Sequence, residues 1–264
     1  MTSQASPVRV EIEARAGGTI ARVTIDHDRK LNTLHSALMT AFVAEIERLG
    51  AMPELRAVVL TGAGDRAFIG GADISEMADL DPDTARAFIT RVHKCCDVLR
   101  ACPVPVIARI NGFTFGAGLE VAAACDMRIA ADTARFGMPE VRLGIPSVVE
   151  AALLPMLIGW GRTRRLLLLG ETISAREAEA WGLVERNVPV ALLDHAVEES
   201  LGYLLEATPN AIRLQKALIR RWEDLPLRDA VQAGVDAFSE AWTSPEPKVA
   251  MAGFLAAQAA RRGR

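Results

Sequence analysis

The chain has 264 residues, of which 50% are hydrophobic and 24% are charged, and its formal net charge is −3. A chain of this size can bury a sizeable core, either as one large domain or as one domain with a small appendage. The slightly acidic balance and the scattered, short basic runs argue against a nucleic acid or an anionic membrane as its partner.

Hydrophobic periodicity and turn residues divide the first half of the chain into strands and helices. The clearest signals are the Gly17-Gly18 turn between two alternating segments and the Asp81-Pro82 pair, an N-cap acid followed by proline at the first helical position. The predicted elements are, in chain order, strands over 8–14 and 19–26, a helix over 35–49, a strand over 56–61, a loop over 62–73, a helix from 81 to about 100, a strand over 103–110, a helix over 117–124 and a strand over 126–131. Strands interleaved with helices predict an α/β fold.

From Glu150 onward the pattern is mostly helical. Ser174 and Glu177 fit a capping box at a helix start. Four long helical patterns follow, over 192–205, 210–222, 227–242 and 245–261. No strand pattern follows Pro189, so the sequence predicts a core over 1–190 and a helical region over 191–264.

Cysteine and histidine spacing bears on disulfides and metal sites. The four cysteines contain no CxxC pair, and a disulfide scaffold is unusual in a chain of this length, so we expect reduced thiols. The four histidines share no ligand spacing with each other or with the cysteines, which predicts no metal site.

Targeting and membrane segments are not indicated by the sequence. Met1 to Val10 has no apolar core of the kind found in signal peptides, and the apolar stretch Ala151 to Trp160 is too short to span a bilayer. We therefore expect a cytoplasmic protein without a membrane partner.

Two segments place small residues where a strand gives way to a turn or a helix. They are RAFIGGADI, which begins at Arg66, and INGFTFGAGLE, which begins at Ile110. Small residues allow a ligand to approach the backbone, and a helix start leaves N–H groups that can bind a developing negative charge. For either segment taken alone, an ordinary glycine-rich turn is the alternative.

Two acidic residues near these segments are candidates for acid–base chemistry. Glu120 has apolar neighbours on both sides, so we expect it to be partly buried with a raised pKa. The alternative is an acid that stabilises the start of a helix. Glu140 follows in FGMPE, and two carboxyl groups brought together in a dry site can act as acid and base.

Several motifs resemble those of one family. NGFTFGAGLE, followed by CD, resembles the oxyanion and first-glutamate motif of the crotonases, the enoyl-CoA hydratase and isomerase family. RAFIGGADISEM is similar to their acyl-CoA-binding loop, and FGMPEVRLGIP is similar to their second-glutamate motif. The resemblance extends, in colinear order, to LNTL, LLLLGETISAREAEAWGLVERNVP, PNAIRLQKAL and FLAAQAARR. It therefore covers nearly the whole chain.

The resemblance implies a fold and an activity. It implies a spiral of ββα units followed by a C-terminal helical trimerisation region that also covers the site, with assembly into a homotrimer or a dimer of trimers. The implied activity is enoyl-CoA hydration, the reversible addition of water across the C2=C3 double bond. The implied partner is an acyl-CoA thioester substrate, and no separate cofactor is expected because coenzyme A is part of that substrate.

The resemblance also assigns roles to residues. The backbone N–H groups of Ile69 and Ala117 would form the oxyanion hole. Glu120 would act as the base on a water molecule that attacks C3, and Glu140 would supply the proton to C2. Residues that would contact the substrate or its CoA are Ile69, Gly70, Gly71, Ala72, Asp73, Lys30, Leu31, Gly116 and Phe254. An ordinary surface lysine and plain core packing are the alternatives for Lys30 and Phe254.

The chain departs from the family pattern after the second glutamate. Many hydratases read IPGxGGTQRL there, whereas this chain reads IPSVVEAAL. Ser147 replaces a glycine, and Glu150 adds a third acid that could reach the pocket. The alternative for Glu150 is a glutamate favoured by a helix N-terminus.

Other activities of the same family remain open. They are an enoyl-CoA isomerase, a specialised hydroxyacyl-CoA dehydratase and a non-catalytic acyl-CoA-binding or RNA-binding relative. The presence of both Glu120 and Glu140 favours hydration, and the acidic pI argues against RNA binding.

Overall fold

The computed structural model describes residues 6–262 as two sheets surrounded by helices. Within this range the strands are β1 (Val8–Arg15), β2 (Gly18–Ile25), β3 (Leu55–Gly62), β4 (Ala67–Ile69), β5 (Val106–Ile110), β6 (Phe113–Phe115), β7 (Met127–Ala131), β8 (Arg135–Gly137), β9 (Thr172–Ser174) and β10 (Arg186–Val188). The α-helices are α1 (Ser36–Gly50), α2 (Ile74–Met77), α3 (Pro82–Ala101), α4 (Ala117–Ala124), α5 (Leu154–Leu169), α6 (Ala175–Trp181), α7 (Leu193–Glu206), α8 (Pro209–Asp224), α9 (Leu227–Ala241) and α10 (Glu246–Arg262). Short 3₁₀ helices span Asp28–Lys30, Glu140–Leu143, Val149–Leu153 and Val190–Leu192.

The sheet order reveals a repeating ββα unit. One sheet has the order β1-β2-β3-β5-β7-β10, and the other has the order β4-β6-β8-β9. Successive strands therefore alternate between the two sheets from β3 to β8. Pairing is parallel apart from β1 with β2 and β8 with β9. The predicted α/β class and the spiral of ββα units are confirmed.

The helix α4 lies at the centre of the core. All eight of its residues are buried, which their small side chains permit. The buried guanidinium of Arg128 closes its C-terminal end, donating to the carbonyl of Cys125 at 2.6 Å and to that of Ala122 at 3.2 Å. A cation is favourable at the negative end of a helix dipole, so Arg128 fixes the helix that carries Glu120.

Five short strands were not predicted. The predicted loop over 62–73 contains β4, and β6, β8, β9 and β10 also have only three residues each. A segment of three residues is too short to show alternation, so only pairing with its neighbours defines it as a strand.

The chain divides into two compact units, one ending at Leu201 and the other beginning at Gly202. This division lies inside α7, later than the predicted boundary near Pro189, because Leu193, Val197 and Leu201 of α7 are buried. In the second unit α8 packs against α9, and Nε1 of Trp222 donates to the carbonyl of Ala230 at 2.9 Å. No helix within residues 6–262 is long and apolar enough to cross a membrane.

Candidate active site

A cavity of about 120 Å³ opens where three ββα units meet. Its lining comes from the loop after β4, the start of α4, the 3₁₀ helix Glu140–Leu143 and one face of α3. Its lining includes Gly70, Gly71, Ala72, Met77, Phe88, Ile89, Val92, Gly116, Ala117, Glu120, Glu140 and Leu143. The cavity therefore combines two carboxyl groups, small backbone-exposing residues and an apolar wall.

Two glycines allow the elements of the site to approach each other. Gly118 lies against the end of β4, where an added Cβ would sit 2.0 Å from the carbonyl oxygen of Ile69. Gly116 has a φ of +52°, and a Cβ there would lie 2.4 Å from Oε1 of Glu140. The backbone clash excludes a side chain at Gly118, and the positive φ favours glycine at Gly116, which explains the glycines in FGAGLE.

Glu120 is 4% exposed and faces the cavity from the first turn of α4. Burial, followed by the negative charges of Glu140 and Glu150, raises its pKa to about 8. Backbone N–H groups of Ala151 and Val148 donate to its carboxyl group and oppose this shift. Glu120 therefore carries a proton at neutral pH. The direction of its pKa shift agrees with the one predicted from its apolar neighbours.

Glu140 begins its 3₁₀ helix and lines the same cavity. The hydroxyl group of Ser147 lies 2.9 Å from its Oε2 and donates to it. Glu120 and Glu140 thus meet at one cavity although twenty residues separate them in the sequence. This arrangement can hold one proton between two carboxyl groups beside a bound ligand.

The two predicted backbone donors, Ile69 and Ala117, lie in different surroundings. Ile69 is buried in β4, opposite Thr114 of β6, and is not among the residues that line the cavity. Ala72 lines it instead. The N–H of Leu34 donates to Gly71, and the N–H of Asp73 donates to Leu34. Because successive N–H groups of an extended chain alternate in direction, the N–H of Ala72 points away from Leu34.

At the other side of the cavity, Ala117 is the first residue of α4, so its N–H has no partner within that helix. Ala72 and Ala117 thus contribute backbone from two different ββα units. Gly70 and Gly71 adjoin Ala72 along the cavity wall. The N–H of Gly70 is used structurally, because it donates to the carbonyl of Leu31 at 2.8 Å.

Residues predicted near the nucleotide end of CoA adjoin the same loop. Nζ of Lys30, on a half-exposed side chain, lies 2.8 Å from Oδ2 of Asp73. Asp73 also accepts from the N–H of Ser75 and caps α2, and the hydrogen bond from Lys30 lowers its pKa. This pair has a structural role that the sequence did not reveal, and its contact with CoA stays a prediction.

Ser147 and Glu150 do not line the cavity, although both were predicted as possible pocket residues. Ser147 contacts Glu140, and Glu150 is buried against α3, where Nδ1 of His93 lies 2.7 Å from its Oε1. Sequence reasoning missed His93, because no spacing rule links residues that are 57 positions apart. Phe254 lies on α10 in the second unit with an exposed side chain, and its contact with substrate stays a prediction.

Residues that could bind a metal ion are not clustered in the described part of the chain. No group of three or more His, Cys, Asp and Glu side chains within residues 6–262 could hold a metal ion.

Comparison with known proteins places this geometry in a family. The sequence profile of the enoyl-CoA hydratase/isomerase family matches residues 15–260. The chain is 36% identical to the short-chain-enoyl-CoA hydratase of Clostridium acetobutylicum, over 90% of this chain and 92% of that protein. It is 34% identical to the crotonyl-CoA hydratase of Syntrophomonas wolfei, over 89% and 91%.

Solved structures give the same result. The chain superposes on the crystal structure of an enoyl-CoA hydratase from Bacillus anthracis with a TM-score of 0.89 and 31% identity, over 94% of this chain and 95% of that one. An enoyl-CoA hydratase from Geobacillus kaustophilus gives a TM-score of 0.87 at 33% identity, over 95% and 96%. With its colinear motifs, its ββα spiral and its paired glutamates at one cavity, the chain belongs to the enoyl-CoA hydratase/isomerase, or crotonase, family.

Proposed function

We propose that this protein is an enoyl-CoA hydratase that adds water reversibly across the C2=C3 double bond of a short-chain 2-enoyl-CoA. The observation that carries the proposal is the pair of carboxyl groups, Glu120 and Glu140, at one small cavity. The hydratase names of relatives that align with about nine-tenths of the chain support it.

The thioester carbonyl would lie between the N–H groups of Ala72 and Ala117. We favour Ala72 over Ile69 as the first donor because Ala72 lines the cavity and Ile69 lies in the sheet. When water attacks C3, negative charge develops on the thioester oxygen. Backbone donors held in a buried site stabilise this charge, and one such donor typically contributes about 3 kcal/mol to lowering the barrier. The N-terminus of α4 adds its positive end to this stabilisation.

Glu120 and Glu140 would share one water molecule and one proton. In the hydration direction, the ionised carboxylate of Glu120 takes a proton from the water as its oxygen bonds to C3. The protonated carboxyl group of Glu140 gives its proton to C2. In the free protein the shared proton resides mainly on Glu120, so it must pass to Glu140, through the bound water, before attack. Each proton transfer contributes roughly a hundredfold to ten-thousandfold in rate.

The size of the cavity favours a short acyl group. Its volume of about 120 Å³ lies well below the roughly 300–1,000 Å³ of clefts that enclose drug-sized ligands. The wall formed by Met77, Phe88, Ile89, Val92 and Leu143 is apolar and closes the space beside Glu120. A hydrocarbon chain of a few carbons fits such a wall, while the CoA moiety lies along Gly70 and Gly71.

The remaining parts of the proposal follow from the family. The reaction is acid–base chemistry on a thioester, so coenzyme A enters only as part of the substrate, without a separate cofactor. We expect a homotrimer or a dimer of trimers in the cytoplasm, with α8 to α10 forming the subunit contacts. Lys30, Leu31, Asp73, Gly116 and Phe254 are the further positions at which we expect contact with the substrate.

The test is turnover of a 2-enoyl-CoA series by the wild-type protein and by Glu120→Gln and Glu140→Gln. We expect the highest kcat/KM on a four-carbon substrate and a loss of at least about a hundredfold in kcat in either variant. Near-native turnover in either variant would refute the two-glutamate assignment. Migration of a 3-enoyl double bond without hydration would identify an isomerase instead.

A further inference from the structure

A partly buried contact between His93 and Glu150 lies next to the site and has no part in the proposed reaction. Nδ1 of His93 on α3 is 2.7 Å from Oε1 of Glu150, close enough for the Nδ1–H to donate. Glu150 is 5% exposed, whereas 51% of the His93 side chain is exposed. Burying a carboxylate is costly, so we expect a buried carboxylate such as that of Glu150 to have a structural or functional role.

The segment that carries Glu150 also donates hydrogen bonds to Glu120. The N–H groups of Val148 and Ala151, on either side of Glu150, donate to the carboxyl group of Glu120. Oε2 of Glu150 is buried without a hydrogen-bond partner. The hydrogen bond from His93 ties this turn to α3, together with the contact between the Cys96 thiol and Glu150.

The same turn is strained. Val149 has a φ of +40°, which places a β-branched side chain in the left-handed region. Such a conformation is strained and persists only where surrounding contacts impose it. The turn that orients Glu120 thus needs an anchor, and the contact with His93 supplies one immediately beside the strained residue.

Glu150 also acts on Glu120 through its charge. The titratable groups that face these two glutamates are Glu140 and, on α3, His93, Cys95 and Cys96. Burial raises the pKa of both cysteines, and the negative charge of Glu150 raises it further, so the thiols stay neutral. Burial is the main cause of the raised pKa of Glu120, and the negative charges of Glu140 and Glu150 raise it further.

We propose that His93 and Glu150 are positioning residues for the reaction at Glu120: their hydrogen bond anchors the strained turn that orients Glu120, and Glu150 places a further carboxylate beside it. This inference rests on the proposed function, in which Glu120 is one of the two acid–base groups. Neither residue lines the cavity, so neither is expected to touch the substrate.

The first experiment compares His93→Ala and His93→Gln with the control His195→Gln. His195 is 70% exposed and faces Glu199 at 3.5 Å, a similar pair outside the cavity. We expect kcat to fall about tenfold to a hundredfold in His93→Ala, because Glu120 is misplaced. KM should not change, because the residues that bind the substrate stay in place. His93→Gln keeps a donor and should retain more activity. Equal activity in all three variants and the wild type would overturn the anchoring role.

The second experiment titrates Glu120 in the ligand-free protein, with and without Glu150→Gln. Infrared difference spectra, referenced to Glu120→Gln, report the protonated carboxyl group directly. We expect the midpoint to fall by about one pH unit in Glu150→Gln because a neighbouring negative charge is removed. An unchanged midpoint would overturn the electrostatic role. This titration needs no turnover. If the protein hydrates no enoyl-CoA, the proposed function is refuted, but the titration still tests the effect of Glu150 on Glu120.

Discussion

Buried carboxyl groups control the pH dependence that we expect of this protein. The proposed reaction needs one proton on the Glu120–Glu140 pair, and the pKa of Glu120 is raised to about 8. Below that value the pair keeps its proton, and above it the pair becomes doubly ionised and loses its acid.

We therefore predict that kcat/KM falls as the pH rises through about 8, by about tenfold per unit beyond it. The profile of kcat/KM is the proper measurement because it reports the groups of the free enzyme. An alkaline limb that begins only above pH 10 would show that the proton of this pair does not limit the reaction.

The same raised pKa has a cost in stability. The unfolded state ionises Glu120 near its ordinary value of 4.5, whereas the folded state resists ionisation up to about 8. Stability is thus fully present below 4.5 and falls as the pH rises towards 8. At pH 7 the loss is roughly 3 kcal/mol.

We predict that Glu120→Gln abolishes turnover but raises the free energy of unfolding at pH 7 by about 1–3 kcal/mol, because the neutral amide removes this cost. Urea unfolding at pH 7 and pH 4 provides the measurement and its internal control. The gain should vanish at pH 4, where the wild-type carboxyl group is protonated in both states. A gain that is equal at both pH values would contradict this explanation.

At the scale of elements, the close approach of α4 to β4 depends on Gly118. A Cβ at this position would lie 2.0 Å from the carbonyl oxygen of Ile69, which belongs to a strand fixed by its neighbours. The helix cannot accept a side chain there without moving away from the loop that carries Ala72.

We predict that Gly118→Ala destabilises the fold by about 1–3 kcal/mol or more and reduces kcat more than it changes substrate affinity. The control is Gly202→Ala on α7, where an added Cβ meets nothing within 4 Å. Alanine in an open helical position should be neutral or stabilising by up to about 1 kcal/mol. Thermal melts and kinetics of both variants check the prediction, and equal effects would contradict it.

The helix α3 supplies the apolar wall of the cavity through Phe88, Ile89 and Val92. We predict that Ile89→Ala shifts the preference for acyl chain length towards substrates longer by one or two carbons, since it enlarges the cavity. The control is Val98→Ala, on the same helix but away from the cavity. The ratio of kcat/KM between four-carbon and six-carbon substrates measures the shift. The same ratio in both variants would show that α3 does not bound the acyl chain.

The sequence was informative where elements are long or motifs are local. The first hairpin and α1 were predicted from periodicity. The starts of α3 and α6 were predicted from the caps at Asp81 and Ser174, which both form capping boxes. The strands β4, β6, β8, β9 and β10 are defined by pairing between distant segments, which no local pattern records. Local motifs pointed to Glu120 and Glu140. The contact of His93 with Glu150 joins distant parts of the sequence, so it became visible only in the fold, where α3 lies beside Glu150.

At the scale of the whole molecule, the helices of the second unit present apolar side chains outward. Val231, Val235 and Phe238 of α9 are each more than half exposed in the single chain. Large apolar surfaces of this kind usually mark contacts between proteins.

We predict a homotrimer or a dimer of trimers by analytical ultracentrifugation, and dissociation in Val235→Asp, because a charge buried at an apolar interface is costly. The control Arg228→Asp alters an exposed side chain on the same helix. A wild-type monomer at micromolar concentration would contradict the prediction.

The spiral of ββα units has a consequence for how the protein acquires activity. Ala72 follows β4, Ala117 follows β6 and Glu140 follows β8, so three consecutive turns each contribute one part of the cavity. A chain in which only the first turns have formed can bury hydrophobic surface yet lacks the donor or the acid of the next turn. On refolding from denaturant, turnover should therefore return later than secondary structure and in a single step, since no partial spiral contains a partial catalyst.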